Sequence, residues 1–210
     1  MSTRGVFITF EGGEGAGKST QIRRLAAALE AQGRKVIVTR EPGGTPLAEA
    51  IRGLILGPGA SGDALTQALL FAAARREHIR VLIEPALAAG TIVLCDRFAD
   101  STRAYQGGRL PAPALDATIS LATGDLAPDL TLLLDLSPET GLVRARGRGG
   151  DADTFERADL AFHADVRARF LALAKAEPGR IAVIDAGAGE ADVAGLIRRV
   201  VDARLASRVA

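Results

Sequence analysis

The chain has 210 residues, 48% of them hydrophobic, and a formal net charge of +1. This length and balance predict a single globular domain with a full hydrophobic core. They argue against a nucleic-acid-binding protein, which needs a basic surplus or stripe. Cys95 is the only cysteine, so an internal disulfide is excluded and a reducing setting is expected. The first residues show neither a signal peptide nor a transmembrane helix, which predicts a cytoplasmic protein.

The amino-terminal part of the chain predicts a strand, a glycine-rich loop and a helix. Residues 6–10 form a short apolar run typical of a buried strand, and residues 19–32 place Ile22, Leu25 and Leu29 on one helix face. The residues between them match the phosphate-binding pattern G-x-x-x-x-G-K-[ST]. The predicted ATP-binding loop therefore comprises Gly12, Gly13, Glu14, Gly15, Ala16, Gly17, Lys18, Ser19 and Thr20.

This loop has the chemistry of a nucleoside triphosphate site. Glycines let backbone N–H groups converge on phosphate oxygens, and the N-terminus of the following helix adds a favourable dipole. Lys18 is expected to reach the terminal phosphates, and the Ser19 hydroxyl to ligate Mg²⁺. The alternative is a glycine-rich turn with a chance Lys-Ser pair, since the chain has 24 glycines. Only three of its 26 basic residues are lysines, which argues against that alternative.

Four further apolar runs predict the rest of a sheet. They are continuous rather than alternating, as is typical of parallel strands covered on both faces, and they comprise residues 36–39, 91–95, 130–134 and 181–184. Helical stretches separate them, which predicts a three-layer α/β P-loop fold with a five-stranded parallel sheet flanked by helices. Residues 57–63 and 144–153 are glycine-rich loops. Composition alone leaves open whether they are mobile arms or plain surface loops.

Polar residues follow every predicted strand. Ligands of open parallel sheets bind beyond the carboxyl ends of the strands. At those positions the sequence has Glu11, residues 40–45, residues 96–98, Asp135 and Asp185. This edge of the sheet is therefore the predicted site.

Three side chains near this edge suggest phosphate and metal chemistry. Glu14 could bind a substrate hydroxyl or a Mg²⁺-bound water. Asp96 could hold Mg²⁺ through water, and Arg97 could contact a phosphate bidentately. The alternatives are a solvated loop carboxylate for Glu14 and a surface arginine for Arg97, since arginine is abundant in this chain.

Phe71 and Arg75 are four residues apart on an apparent helix spanning residues 64–82, so they share one helix face. A planar base could stack on Phe71 while Arg75 donates to its carbonyl and ring-nitrogen acceptors. The alternative is a core phenylalanine on a mainly apolar helix, and Tyr105 could equally be a packing residue. Periodicity alone leaves both interpretations open.

Taken together, these residues resemble the thymidylate kinase family. The resemblance rests on residues 10–20, 39–49, 70–75, 96–107 and 144–149, which keep the family's order from about residue 6 to residue 185. The Glu-Pro-Gly-Gly-Thr and Asp-Ser-Thr-x-Ala-Tyr-Gln stretches are far more specific than the P-loop. The resemblance implies a nucleoside monophosphate kinase-like fold and a homodimer. It also implies Mg²⁺-assisted transfer of the γ-phosphoryl group of ATP to dTMP, giving dTDP and ADP for dTTP synthesis.

The resemblance also implies roles for individual residues. Thymine would stack on Phe71 and accept a hydrogen bond from Arg75 at O4, while Tyr105 would crowd the sugar 2′ position. The implied dTMP-binding set is Glu14, Arg40, Pro42, Arg52, Phe71, Arg75, Arg97, Thr102, Tyr105 and Gln106. Lys18 and Arg97 are the implied catalytic residues of the core, and Ser19 and Asp96 the implied Mg²⁺ site.

A lid is implied at about residues 144–156 of the single domain 1–210. One branch of the family has a basic residue in the P-loop, at a position that here is Gly15 or Ala16. The other, bacterial-type branch supplies the positive charge from the lid, where this chain has Arg144, Arg146 and Arg148. Which of the three is catalytic stays open, and a solvated arginine face is the alternative.

Two other functions share part of this sequence pattern. A kinase for a different nucleoside monophosphate would share the P-loop but not the combination of Phe71, Arg75 and Tyr105. A nucleotide-dependent switch of the GTPase type would read guanine with an Asn-Lys-x-Asp motif, and the sequence contains no such tetrapeptide.

Overall fold

A computed structural model describes residues 4–57, 62–147 and 158–207. Within these ranges, the strands form one parallel sheet in the order β2-β3-β1-β4-β5. The strand bounds are β1 (Phe7–Glu11), β2 (Val36–Arg40), β3 (Ile92–Asp96), β4 (Leu130–Asp135) and β5 (Ile181–Asp185). The predicted five-stranded parallel sheet is confirmed, each strand lying within a residue or so of its predicted bounds.

Helices cover both faces of this sheet, which gives the predicted three layers. Their bounds are α1 (Lys18–Glu30), α2 (Pro46–Leu56), α3 (Ala64–His78), α4 (Glu84–Ala88), α5 (Ala99–Gln106), α6 (Ala112–Thr123), α7 (Pro138–Arg146), α8 (Leu160–Ala176) and α9 (Glu190–Ala206). On one face, α1 and α9 pack against Ile8 and Phe10 of β1. On the other, Phe7 packs against residues that include Ile79 and Phe98. Because strand side chains alternate, β1 contributes to both layers.

The register of the sheet brings carboxylates to a single edge. Phe10 lies beside Asp96, and Glu11 beside Leu133, so β1, β3 and β4 end at nearly the same level. Glu11, Asp96, Asp135 and Asp185 are the last residues of their strands. The predicted convergence of polar groups at the carboxyl edge is therefore present, with those carboxylates inside the strands rather than just after them.

The prediction that all five strands are buried on both faces was wrong for β2 and β5. Val38 is 50% exposed and Val183 is 49% exposed, because these strands form the two edges of the sheet. The central strands β1, β3 and β4 are buried along almost their whole length. A continuous apolar run therefore predicted the strand but not its place in the sheet.

The apparent helix over residues 64–82 is interrupted. α3 ends at His78, and Ile79–Ile83 form a π-helical turn in which the N–H of Glu84 donates to the carbonyl of Ile79. Pro85 then opens α4, where its missing N–H is tolerated. Leu65 and Leu69, at the start of α3, are 43% and 53% exposed, so this apolar helix is not buried on every face. Among the residues described, no helix combines the length and apolar character needed to cross a bilayer.

Candidate active site

The P-loop joins the end of β1 to the start of α1. Gly15 and Gly17 have φ angles of 68° and 89°, a left-handed conformation that glycine adopts without strain. Lys18 folds its ammonium over the loop, where Nζ donates to the carbonyls of Gly12 and Gly13 at 3.1 and 2.9 Å. Burial lowers the pKa of Lys18, and Arg97 lowers it further, while neighbouring carboxylates partly offset this. The predicted phosphate-binding residues thus form one continuous turn.

Ser19 and Asp96 lie together next to this loop. The Ser19 hydroxyl donates to Oδ2 of Asp96 at 2.9 Å. A hydroxyl and a carboxylate are hard oxygen ligands of the kind that Mg²⁺ accepts, and Mg²⁺ commonly takes its remaining ligands from water and nucleotide phosphates. Within the described ranges, no cluster of three or more His, Cys, Asp and Glu side chains forms a metal cage. The donor set therefore fits a nucleotide-bound Mg²⁺ held by few protein ligands.

Glu14, Arg97 and Tyr105 form a compact cluster beside the P-loop. Arg97 has a φ of 70° and directs Nη2 to Oε1 of Glu14 at 2.5 Å, while its Nη1 donates to the carbonyl of Gly12. The Tyr105 hydroxyl donates to the same Glu14 oxygen at 2.8 Å. The Arg97 guanidinium also stacks over the Tyr105 ring at 5.0 Å. Three residues that the resemblance assigns to the acceptor nucleotide are thus in direct contact.

The electrostatics of this cluster keep it ionised. Burial alone would raise the pKa of Glu14, but the charges of Arg97 and Lys18 and the hydrogen bond from Tyr105 outweigh it and lower that pKa to about 2. The pKa of Arg97 is raised because Glu14 and other carboxylates outweigh the effect of its burial. Burial, with Glu14 nearby, raises the pKa of Tyr105. At neutral pH the cluster therefore offers a fixed cation beside the P-loop.

Arg75 is buried and held by several partners. Its Nε donates to Oε2 of Glu41 at 2.7 Å, and its Nη2 donates to the carbonyl of Phe98 and to Oγ1 of Thr102, both at 3.0 Å. The guanidinium stacks over the Phe98 ring at 5.2 Å. Its Nη1 has no hydrogen-bond partner within the described part of the chain. A buried donor of this kind is costly unless a ligand or water accepts from it.

The inner face of α5 lines the same region. Thr102, Tyr105 and Gln106 are all buried, and Thr102 accepts from Arg75. Nε2 of Gln106 is a second buried donor with no partner among the described residues. Phe71 is half-buried one helical turn before Arg75, as the four-residue spacing predicted.

The remaining predicted acceptor residues lie around the β2–α2 connection: Arg40 ends β2, Pro42 is in the connection and Arg52 is in α2. Arg40 pairs with Glu49 at 3.0 Å and stays largely exposed, and Arg52 donates to the carbonyl of Pro42 at 2.9 Å. The Glu41–Pro42 peptide bond is cis. These contacts tie α2 to the segment that carries Glu41.

The predicted lid lies partly outside the described residues. Arg144 and Arg146 are in the last turn of α7, where Arg144 donates to the carbonyl of Ala186 at 3.1 Å. Arg148 and the rest of the lid to residue 156 fall in the range 148–157, which the structure does not describe. A Cβ at Gly15 would overlap the carbonyl of Gly141 in α7. A basic side chain at that P-loop position would therefore require α7 to shift.

Several contacts around the site were not predicted from the sequence. Glu41 and His78 contact each other behind Arg75, and Arg167 pairs with Asp135 at 2.7 Å. Glu11 is fully buried and accepts from the N–H of Phe98 and from the Ser101 hydroxyl, while burial and Asp100 raise its pKa to about 7. These contacts join residues that are far apart in sequence, so spacing gives no signal for them.

Comparison with known proteins places this geometry in a family. Residues 10–197 match the family model described as thymidylate kinase. The chain belongs to the thymidylate kinase family. It is 56% identical over 206 residues to the thymidylate kinase of Caulobacter vibrioides, covering 97% of this chain and 99% of the relative. It is 53% identical over 204 residues to that of Magnetococcus marinus, covering 96% and 97%.

A solved structure gives the same result for the fold. The crystal structure of thymidylate kinase from Ehrlichia chaffeensis superposes with a TM-score of 0.75 and 36% sequence identity, covering 94% of this chain and 99% of that one. The resemblance to the thymidylate kinase family and the P-loop α/β fold are both confirmed. The overlap between Gly15 and α7 agrees with the bacterial-type branch, which carries no basic residue in the P-loop.

Proposed function

We propose that this chain transfers the γ-phosphoryl group of ATP to dTMP at the edge of the sheet where the P-loop, Arg97 and α5 meet. The family gives the reaction, ATP-dependent phosphorylation of dTMP to dTDP. The location rests on one observation: Arg97 bonds both Glu14 and the Gly12 carbonyl, so a predicted acceptor residue contacts the predicted ATP loop.

The donor half of the site uses the P-loop and Lys18. Loop amides and the α1 N-terminus bind the β- and γ-phosphates. Lys18 stabilises the negative charge that develops on the transferring phosphoryl group. Ser19 and Asp96 would hold a nucleotide-bound Mg²⁺, directly or through water. The metal would supply positive charge that neutralises the nucleotide phosphates.

The acceptor half is organised by Arg97. Its guanidinium aims the dTMP phosphate in line with the γ-phosphate, and Arg40 and Arg52 add charge from the β2–α2 side. The acceptor phosphate oxygen is already anionic, so no protein group has to remove a proton from it. The protein's contribution is positioning and charge stabilisation.

The base binds between Phe71 and the buried donors. Phe71 provides the stacking face, and Nη1 of Arg75 donates to O4 of thymine. Thr102 and Gln106 complete the polar lining from α5, and Nε2 of Gln106 offers a second donor. Pro42, whose carbonyl accepts from Arg52, is assigned to the edge of this pocket by the resemblance.

The sugar lies between Glu14 and Tyr105. The Glu14 carboxylate accepts from the 3′-hydroxyl, and the Tyr105 ring blocks the space that a 2′-hydroxyl would need. Because the Tyr105 hydroxyl bonds Glu14, the ring is held in this position.

This arrangement predicts that Tyr105→Ala raises kcat/KM for UMP relative to dUMP by about tenfold, since it removes a steric gate of a few carbon atoms. Tyr105→Phe is the matched control, because it keeps the ring and removes the hydroxyl that bonds Glu14. It should retain the preference for the deoxyribonucleotide. Steady-state kinetics with the two acceptors measures both ratios, and an unchanged ratio in the alanine variant would contradict the gate.

The lid, the assembly and the location are parts of the same proposal. Lid arginines, from the set Arg144, Arg146 and Arg148, stabilise the transferring phosphoryl group. Two copies associate through α2 and α3, where the exposed apolar side chains are Leu47, Leu54, Leu65 and Leu69. The buried free thiol of Cys95 agrees with a reducing cytoplasm.

The deciding experiment is ADP release from ATP and Mg²⁺ with dTMP, dUMP, UMP, dCMP, dGMP and AMP as acceptors. Turnover with dTMP well above that with UMP and dCMP is expected. Turnover with a different acceptor would keep the kinase but overturn the pocket assignment. ATP binding without turnover on any acceptor would favour a switch or binding module.

A further inference from the structure

Behind Arg75 the structure contains a buried chain of hydrogen bonds. Oγ1 of Thr39 lies 2.7 Å from Nε2 of His78, and Nδ1 of His78 lies 3.1 Å from Oε1 of Glu41. Oε2 of Glu41 in turn accepts from Nε of Arg75 at 2.7 Å. All four residues are at most 8% exposed. Three separate elements, β2, the β2–α2 connection and α3, are thus joined through side chains.

We propose that His78 is a positioning residue, which fixes Glu41 and through it the orientation of the base-reading Arg75. The relay consists of four residues: Thr39, His78, Glu41 and Arg75. This inference rests on the proposed function, in which Nη1 of Arg75 reads the base.

The relay fixes the direction of Nη1, the guanidinium nitrogen of Arg75 that has no partner among the described residues. Nε of Arg75 is held by Glu41, and Nη2 is held by the Phe98 carbonyl and by Thr102. The guanidinium is planar, so anchoring these two nitrogens also fixes the direction of Nη1. Nη1 is buried and has no hydrogen-bond partner among the described residues.

His78 determines how firmly Glu41 is held. An ionised carboxylate can only accept, so Nδ1 of His78 is the donor in its bond to Glu41. In the neutral ring Nε2 is then the acceptor, and the Thr39 hydroxyl donates to it. Without His78, Oε1 of Glu41 would lose its donor in a buried site, and the carboxylate could rotate away from Arg75.

The glycine-rich connection after β2 is shaped around the relay. A Cβ at Gly44 would lie 2.6 Å from both Nε2 of His78 and Oγ1 of Thr39. Gly44 has a φ of +85°, so the backbone conformation favours glycine as well. The connection therefore packs directly on the relay, and this gives a physical reason for the second glycine of the Glu-Pro-Gly-Gly-Thr stretch.

A fixed donor selects for the base. Thymine presents the O4 acceptor where cytosine presents an N4 amino donor, so a rigid Nη1–H favours the first and is left unpaired against the second. If Nη1 can turn away, the enzyme loses the discrimination between thymine and cytosine before it loses binding of the nucleotide. The relay is therefore expected to act on the choice between dTMP and dCMP more than on the handling of ATP.

The test compares His78→Leu with His78→Asn. Leucine fills a similar volume and removes both hydrogen bonds, whereas the asparagine amide places a donor near Nδ1 and can restore the bond to Glu41. In His78→Leu, the ratio of kcat/KM for dTMP to that for dCMP should fall about tenfold, the value of one hydrogen bond to a charged group. KM for ATP should stay within about twofold. His78→Asn should recover most of the ratio.

Two further variants separate the possible failures. Arg75→Met tests the pocket itself: if it leaves the dTMP/dCMP ratio unchanged, the pocket assignment is wrong and the relay with it. If Arg75→Met lowers the ratio but His78→Leu does not, the relay alone is overturned. Should His78→Leu fail to fold, Thr39→Val removes only the far hydroxyl. A ratio two- to fivefold below wild type is then expected, and an unchanged ratio refutes the relay.

Discussion

Replacing Lys18 by alanine is expected to lower kcat by about two to three orders of magnitude. The ammonium of Lys18 lies over the P-loop, bonded to the carbonyls of Gly12 and Gly13, so it is next to the phosphates that this loop binds. The ammonium stabilises the negative charge that develops as the phosphoryl group transfers. Its loss should therefore lower the rate of the chemical step more than it weakens ATP binding. Initial rates of dTDP formation at saturating ATP and dTMP measure the effect.

Lys35→Ala is the matched control, since Lys35 is an exposed lysine before β2 whose substitution leaves the P-loop untouched. It should turn over at the wild-type rate. Near-normal kcat in Lys18→Ala, with that control intact, would remove Lys18 from the catalytic role. A large rise in KM for ATP at constant kcat would instead assign it to ground-state binding.

Local patterns predicted the parts of the site that are close in sequence. The P-loop needs only a strand, a turn of glycines and a helix start within about fifteen residues, and each leaves a local signal. Phe71 and Arg75 are one helical turn apart, so their common face follows from helix geometry alone. The central strands were predicted for a similar reason, since burial on both faces leaves an unbroken apolar run.

Contacts between distant segments left no such signal. Glu41 and His78 are 37 residues apart, and nothing in either local sequence predicts that they meet behind Arg75. The edge strands β2 and β5 have the composition of central strands, yet Val38 and Val183 are half exposed. Position in the sheet depends on strand order, which is set by the connections and not by the strand itself.

The contact between Gly15 and Gly141 has one part that the sequence shows and one part that only the structure shows. The sequence shows only that the P-loop position is Gly15 or Ala16, neither of them basic, which the resemblance connects with the branch that uses lid arginines. The structure adds the physical reason: the carbonyl of Gly141 occupies the place of a side chain at residue 15. A basic side chain at residue 15 would therefore require α7 to shift, and α7 itself ends in Arg144 and Arg146.

Arg97→Met is expected to lower kcat/KM for dTMP by about two to three orders of magnitude, with a smaller effect on KM for ATP. Arg97 is partly buried against the Tyr105 ring and joins Glu14 to the P-loop, so it connects the two proposed substrate sites. A second effect is predicted on stability. Removing the guanidinium leaves Glu14 ionised and without its main partner, which should reduce the free energy of unfolding by about 3 kcal/mol.

A double variant separates these two effects. Arg97→Met with Glu14→Gln has no unpaired carboxylate, so urea unfolding should show most of the lost stability restored, while kcat/KM for dTMP stays low. Arg198→Met, which removes an arginine paired with Asp202 on α9, should alter neither quantity by much. If the double variant recovers activity along with stability, Arg97 acts only by neutralising Glu14. Because Glu14 also lines the proposed sugar site, Glu14→Gln alone is the reference. If kcat/KM for dTMP in the stable double variant is far below that of Glu14→Gln, the acceptor phosphate is assigned to Arg97.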